Sequence, residues 1–361
     1  MEALEEVEIV ISRYPSTQAY FFRGKLNEEL GKEGQALKDY LSAIKGDPSN
    51  IDAWIAQGRI YLNQAKTQKA LNAYQRAIDL RSGDPNLFCL RGEVYTKLKR
   101  YIEAEADYAE ALNISPGYEK AYYGKALLYM KQEDFEKALT DVGKALQLNP
   151  KDPKALIARG RIYVQQENNE EAFKDFNKSI SIDPNSPDAF YFRGFANMQA
   201  GNQVLAENDF DKAVALGGAQ LDAYLYLGDA SLATGDAQDA LNRFNQAVNY
   251  APESPEPYRH RAEYYIFQSD LNKALQDYDT LIELQGEATA EDYLKRGKLY
   301  LLTSNRTQAM VDFNQAILLA PKWTEAYCTR GELFQNMGRS QKALADYSIA
   351  IGASPGSPLP D

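Results

Sequence analysis

Apolar positions recur along the chain from Thr17 to Ser357 with a period of 34, broken once by a step of 35. Within each period they fall at positions 4, 8 and 11 and again at 20, 24 and 27–28, which is one buried stripe on each of two successive helices. The periods open at Thr17, Ile51, Pro85, Glu119, Pro153, Pro187, Leu221, Pro255, Ala290 and Thr324. Position 8 is Gly or Ala throughout, position 20 is always Ala, and position 27 is Ala except at Ser179 and Leu281. Small residues at these points let two antiparallel helices approach closely, while a bulky residue at position 4 or 24 fills the space beside them. Position 15, Gly or polar, begins the turn between the helices. Pro at position 32, as in Pro48, Pro116 and Pro150, cannot continue the second helix, and Pro at position 1 suits a helix start.

This pattern resembles the tetratricopeptide repeat, in ten copies covering residues 17–357, after an N-terminal helix or half repeat (1–16) and before a short tail (358–361). The resemblance implies an all-α, right-handed α-solenoid of helical hairpins, with first helices lining a concave groove and second helices outside. It also implies binding of proteins or peptides. A solenoid needs no division into globular domains, so one continuous domain is expected. Residues 2–12, with Leu4, Val7, Val10 and Ile11 as the apolar side, correspond to a second helix without its first. After the tenth repeat Ser354-Pro-Gly-Ser-Pro follows with no polar capping helix. The alternative to an adaptor is therefore a structural subunit of a larger assembly, or a homo-oligomer joined through uncapped ends.

Of the 25 Tyr, 17 fall at positions 4, 11 or 24 and are framework. The net charge of −11 and the lack of a basic run argue against nucleic acid as a partner. No apolar stretch reaches membrane-spanning length, and no cleavable signal is visible. Cys89 and Cys328, seven repeats apart, make no disulfide framework, which favours a cytoplasmic, reducing setting. An exported chain with its signal removed stays open. The single His260, the absence of metal spacing and the absence of a phosphate loop or nucleophile elbow argue against an enzyme and imply no cofactor or metal.

Charge adds a second periodic signal. Position 7 is basic in eight repeats (Arg23, Arg91, Lys125, Arg159, Arg193, Arg261, Arg296, Arg330), and the same eight carry Asp at position 23. The two repeats with Gln57 and Leu227 lack that Asp and have Ala73 and Arg243. Joint presence and joint absence predict an ion pair across each hairpin.

The resemblance points to positions 2, 5, 9, 12 and 13 as groove-facing. Apolar residues there concentrate in the middle repeats: Tyr123, Leu127 and Met130, then Ile157 and Val164, then Tyr191, Phe195 and Met198, then Leu225 and Leu232. Exposed apolar patches mark interaction sites, and Met adapts to irregular partners; packing between neighbouring first helices is the competing explanation. An acidic set follows at positions 2 and 9: Asp188, Asp222, Asp229, Glu256, Glu263, Glu291, Glu325 and Glu332. It suggests a partner segment that is basic and apolar, although carboxylates at position 2 also favour a helix N-terminus. Position 5 never carries Lys, so the family's carboxylate clamp for chaperone C-terminal tails is not expected. Position 6 never carries Asn, so its asparagine ladder is not expected either. Irregular packing is expected at Gly217-Gly218, and at the junction of repeats eight and nine, marked by Leu281 and by the extra residue near Gly286.

Overall fold

The computed structural model describes residues 2–218, 221–284 and 288–353. Gly286, the sequence from Ser354 onward and the 358–361 tail lie outside them. A lone helix α1 (Glu2–Arg13) precedes pairs of helices. First helices are α2 (Thr17–Glu29), α4 (Ile51–Asn63), α6 (Pro85–Lys97), α8 (Glu119–Lys131), α10 (Pro153–Gln165), α12 (Pro187–Gln199), α14 (Leu221–Ala233), α16 (Pro255–Phe267), α18 (Ala290–Leu302) and α20 (Thr324–Asn336). Each is followed by its second helix: α3 (Glu33–Gly46), α5 (Thr67–Leu80), α7 (Tyr101–Ile114), α9 (Phe135–Leu148), α11 (Asn169–Ile182), α13 (Gln203–Ala215), α15 (Ala237–Tyr250), α17 (Leu271–Glu283), α19 (Arg306–Leu319) and α21 (Ser340–Ala353). The architecture is all-α, a tandem array of helical hairpins. Second helices run 14 residues except α13 and α17, which run 13. Those two precede the Gly217-Gly218 and repeat eight–nine junctions.

Contacts gather into two compact units, Met1–Ala196 and Asn197–Asp361. In the first, α6 lies against α8 and α8 against α10; in the second, α14 lies against α16. Within each unit, among the described residues, no two successive second helices come as close. First helices therefore line the inner side of each unit.

The small residues work as the sequence requires. A Cβ added at Gly58 would sit 2.5 Å from the Tyr74 ring, and one at Gly228 would sit 2.4 Å from the Phe244 ring. Repeat four carries Ala126 at the same position, opposite the smaller Val142, and both are completely buried. In α1, Leu4, Val7 and Ile11 are half-buried, but Val10, expected on the same side, is 47% exposed.

Position 15 proves stricter than its composition suggests. All ten of these residues have positive φ: Gly31, Ala65, Lys99, Glu133, Glu167, Gly201, Gly235, Ser269, Ser304 and Gly338. This left-handed residue ends each first helix and frees the next backbone N–H to reach back, as Lys66 does to the Tyr61 carbonyl at 2.8 Å. Ala65, neither Gly nor polar, holds φ 56° against its own Cβ. Ala65→Gly should therefore raise stability by about 0.5–1 kcal/mol, since the relief of strain exceeds the added freedom of the unfolded chain. Chemical denaturation measures this, and a loss of stability would contradict it.

Candidate functional site

The predicted hairpin ion pair is present in repeats one, three, four, five, eight, nine and ten: Arg23–Asp39 at 2.6 Å, Arg91–Asp107 at 2.5 Å, Lys125–Asp141 at 3.4 Å, Arg159–Asp175 at 2.7 Å, Arg261–Asp277 at 2.6 Å, Arg296–Asp312 at 2.7 Å and Arg330–Asp346 at 2.7 Å. Each of these Asp residues is buried, and each Arg meets its Asp through both Nε and Nη2. Such two-pronged contacts are the strong form of the pair. The Asp hydrogen bond raises the pKa of Arg91, Arg159, Arg261 and Arg330. The pair is framework.

A further link, with no fixed residue type to mark it in the sequence, joins successive repeats. Nη1 of the position-7 Arg donates to position 25 of the preceding repeat: Arg91 to Gln75, Arg193 to Asn177 at 2.6 Å, Arg261 to Asn245 at 2.8 Å, Arg296 to Asp279 at 2.8 Å and Arg330 to Asn314 at 2.7 Å. One guanidinium thus ties its own hairpin to the one before.

The apolar groove set is more enclosed than expected. Ile157, Val164, Tyr191 and Leu225 are buried, at 7%, 5%, 8% and 8% exposure. This corrects the assignment of these four as open groove surface: neighbouring helices approach closely enough to enclose them. Tyr123, Leu127, Met130, Phe195, Met198 and Leu232 are half-buried. Of these, Tyr123, Leu127 and Met130 pack against the core of repeats four and five, Phe195 against that of five and six, and Leu232 against that of seven and eight.

The acidic set does not form an open row either. Glu256 pairs with Arg259 at 2.5 Å, Glu325 with Lys298 at 2.7 Å, and Lys295 takes both Glu263 at 2.7 Å and Glu291 at 2.9 Å. Asp229 accepts from His260 Nδ1 at 3.2 Å. The partners at position 6, Lys295 and His260, were overlooked. Asp188, Asp222 and Glu332 are exposed. A buried carboxylate outside the expected set, Asp292, receives Arg259 through two bonds of 2.8 Å and closes a capping box with Thr289. The Thr289-x-x-Asp292 spacing was the available signal.

The hydrogen bond to Asp229 raises the pKa of His260 above its ordinary value; burial and Arg259 oppose the shift, while Glu256 supports it. Because the folded pKa exceeds the unfolded one, the contribution to stability is complete below about 6.5 and fades as pH rises through the folded value. Denaturation midpoints should fall between pH 6 and 8, and Asp229→Asn should flatten that slope. An unchanged slope in Asp229→Asn would remove the pair as its cause.

On the inner side of the first unit, Arg161 at position 9 of repeat five lies 4.4 Å from the centre of the Phe192 ring. Burial lowers its pKa, and Tyr123, Asp188 and Tyr191 partly offset that. No carboxylate comes within ion-pair distance of it among the described residues. Tyr123 beside it is pushed up to about 12 by burial. The Tyr191 and Phe192 rings meet edge to face at 5.1 Å. The half-buried guanidinium groups of Arg23, Arg91, Arg159, Arg261, Arg296 and Arg330 at position 7 each meet an Asp. Arg161, at position 9, is a partly desolvated cation among aromatic rings, with Asp188 acting on it only from beyond ion-pair distance.

The second unit has an inner cleft of about 950 Å³ between α18 and α20, walled by Leu301, Leu302, Trp323 and Cys328, with Lys298 and Glu332 at its edge. Leu302 is 67% exposed, and Phe267 one repeat earlier 70%. Exposed apolar surface therefore occurs at position 13 of repeats eight and nine, outside the middle repeats where it was sought. Burial raises both free thiols, Cys89 to about 12. Among the described residues no group of His, Cys, Asp and Glu is arranged to hold a metal, and no helix is long and apolar enough to cross a membrane.

Tetratricopeptide repeat family models match residues 17–50, 39–72, 85–118, 125–189, 222–254 and 324–356, and a TPR repeat model matches 58–99. Mouse tetratricopeptide repeat protein 28 is 34% identical over 105 residues, 27% of this chain and 4% of that protein. The human mitochondrial import receptor subunit TOM70 is 29% identical over 102 residues, 27% of this chain and 17% of that protein. The chain thus matches a small part of each relative's length. The solved structure of the human IFIT1 dimer with m7Gppp-AAAA shares the fold, with a TM-score of 0.53 at 15% identity over 97% of this chain and 94% of that one. Repeat matches along the chain, together with hairpins of 13-residue and mostly 14-residue helices, identify it as a member of the tetratricopeptide repeat family.

Proposed function

We propose that this chain is a non-catalytic protein-interaction scaffold, and that the inner face of its first unit, around Arg161, takes an extended segment of a partner protein. The family's fold supports the general role. The single observation that carries the finer reading is the guanidinium of Arg161, desolvated against Phe192 without a carboxylate to meet it. Withdrawing a cation from water without a counter-charge is costly, and a partner's carboxylate would offset that cost in place. Tyr123 and Phe195, half-buried on the same side, offer ring surface for an adjacent apolar side chain.

The partner chemistry supported is therefore an acidic residue next to an apolar one. It differs from the basic segment suggested by the acidic set, most of which is already paired with Arg259, Lys295, Lys298 and His260. A random twelve-residue peptide display selected on the whole chain tests this reading. Enrichment of Asp or Glu beside an aromatic or aliphatic residue is the expected outcome. Enrichment of Lys and Arg would return recognition to the remaining open acids, Glu332 among them.

A further inference from the structure

Arg159 stands apart from the other position-7 arginines that follow a repeat. Its Nε and Nη2 hold Asp175 at 2.7 Å each, as elsewhere. Its Nη1 has no acceptor in the preceding repeat, because position 25 there is Gly143. A Cβ built on Gly143 meets nothing within 4 Å, so the space is open. That space is a cleft of about 230 Å³, whose lining includes Gly143, Gln147, Arg159 and Lys178. Both charged residues lining it are cationic, and Lys178 is exposed.

We propose that this cleft is a second binding site, which takes an Asp or Glu side chain of a partner protein. The incoming carboxylate would accept from Arg159 Nη1, as the position-25 oxygens of Asn177, Asn245, Asp279 and Asn314 accept from their own arginines at 2.6–2.8 Å. A carboxylate fits better than an amide because Asp175 already balances Arg159 and Lys178 leaves one positive charge at the mouth. The site is formed by α9, α10 and α11 and uses none of the residues around Arg161.

The test is binding of a labelled hexaglutamate peptide, with hexalysine as control. It is run at about 0.15 M salt, where the Debye length is about 8 Å and the chain's overall charge is screened. All proteins carry Arg161→Gln, so that the inner face contributes nothing. Gly143→Asn supplies the missing acceptor from within; it should weaken hexaglutamate binding at least fivefold while raising the unfolding midpoint. Gly143→Ala leaves the cleft open and should keep the binding while also raising the midpoint through helix propensity. Lys178→Gln should weaken binding a few-fold. Equal binding by the Asn and Ala variants, or no hexaglutamate binding in the Arg161→Gln background, overturns the proposal. Either result leaves the reading of the Arg161 face untouched.

Discussion

Asp277→Ala should lower the unfolding free energy by about 2–3 kcal/mol. Asp277 is 4% exposed and takes Arg261 Nε at 2.9 Å and Nη2 at 2.6 Å. Without it Arg261 keeps the Asn245 hydrogen bond at 2.8 Å and the Tyr258 ring, but no counter-charge within ion-pair distance among the described residues. Removing one partner of a buried pair costs about 3–5 kcal/mol, and the guanidinium's 19% exposure lowers that figure. Repeat two shows how the chain dispenses with the pair: Gln57 and Ala73 occupy the same positions and are buried at 4% and 2%. The double variant Arg261→Gln with Asp277→Ala reproduces that arrangement and should be more stable than Asp277→Ala alone. Urea denaturation of the single and double variants measures this. A single variant within about 0.5 kcal/mol of the parent would show that the pair is solvated and contributes little.

Arg161→Gln should weaken capture of an acidic partner peptide by about 30-fold or more, since truncating one side of a buried, hydrogen-bonded charge pair costs about 2–5 kcal/mol of binding. Folding should be unharmed or slightly improved, because the free chain holds this charge half-buried against Phe192, and Asp188 offsets that burial only in part. The effect should appear in the release rate more than in association. Arg76→Gln, whose side chain is 69% exposed, serves as the control and should leave binding within about twofold. A fall in stability with unchanged binding would reassign Arg161 to the packing of Phe192.

Much of the fold was legible because it repeats. Helix starts, close-approach positions and the Arg–Asp pair each recur at a fixed spacing, and repeats two and seven gave the pair away by lacking both members. The position-25 acceptor escaped because its identity wanders among Gln75, Asn177, Asn245, Asp279 and Asn314, and because its partner lies in the next repeat. The face of the second unit was misjudged for a similar reason: Lys295 pairs with Glu263 and His260 hydrogen-bonds Asp229 one repeat away, so a list of carboxylates overstates the field. Ile157, Val164, Tyr191 and Leu225 were taken for groove surface because periodicity fixes the side of a helix but not the distance to its neighbour. Arg161 was passed over as one cation among aromatic residues. Only its burial and its missing counter-charge single it out, and neither is a property of sequence.

The most direct measurement follows the Nε–Hε resonance of Arg161 by NMR, assigned by its loss in Arg161→Gln, while the whole chain is titrated with the tightest peptide from the display selection. The account predicts a saturable shift of that resonance with the same affinity as overall binding, lost when the peptide's carboxylate is replaced by an amide. A peptide that binds while the Arg161 resonance stays fixed would contradict it.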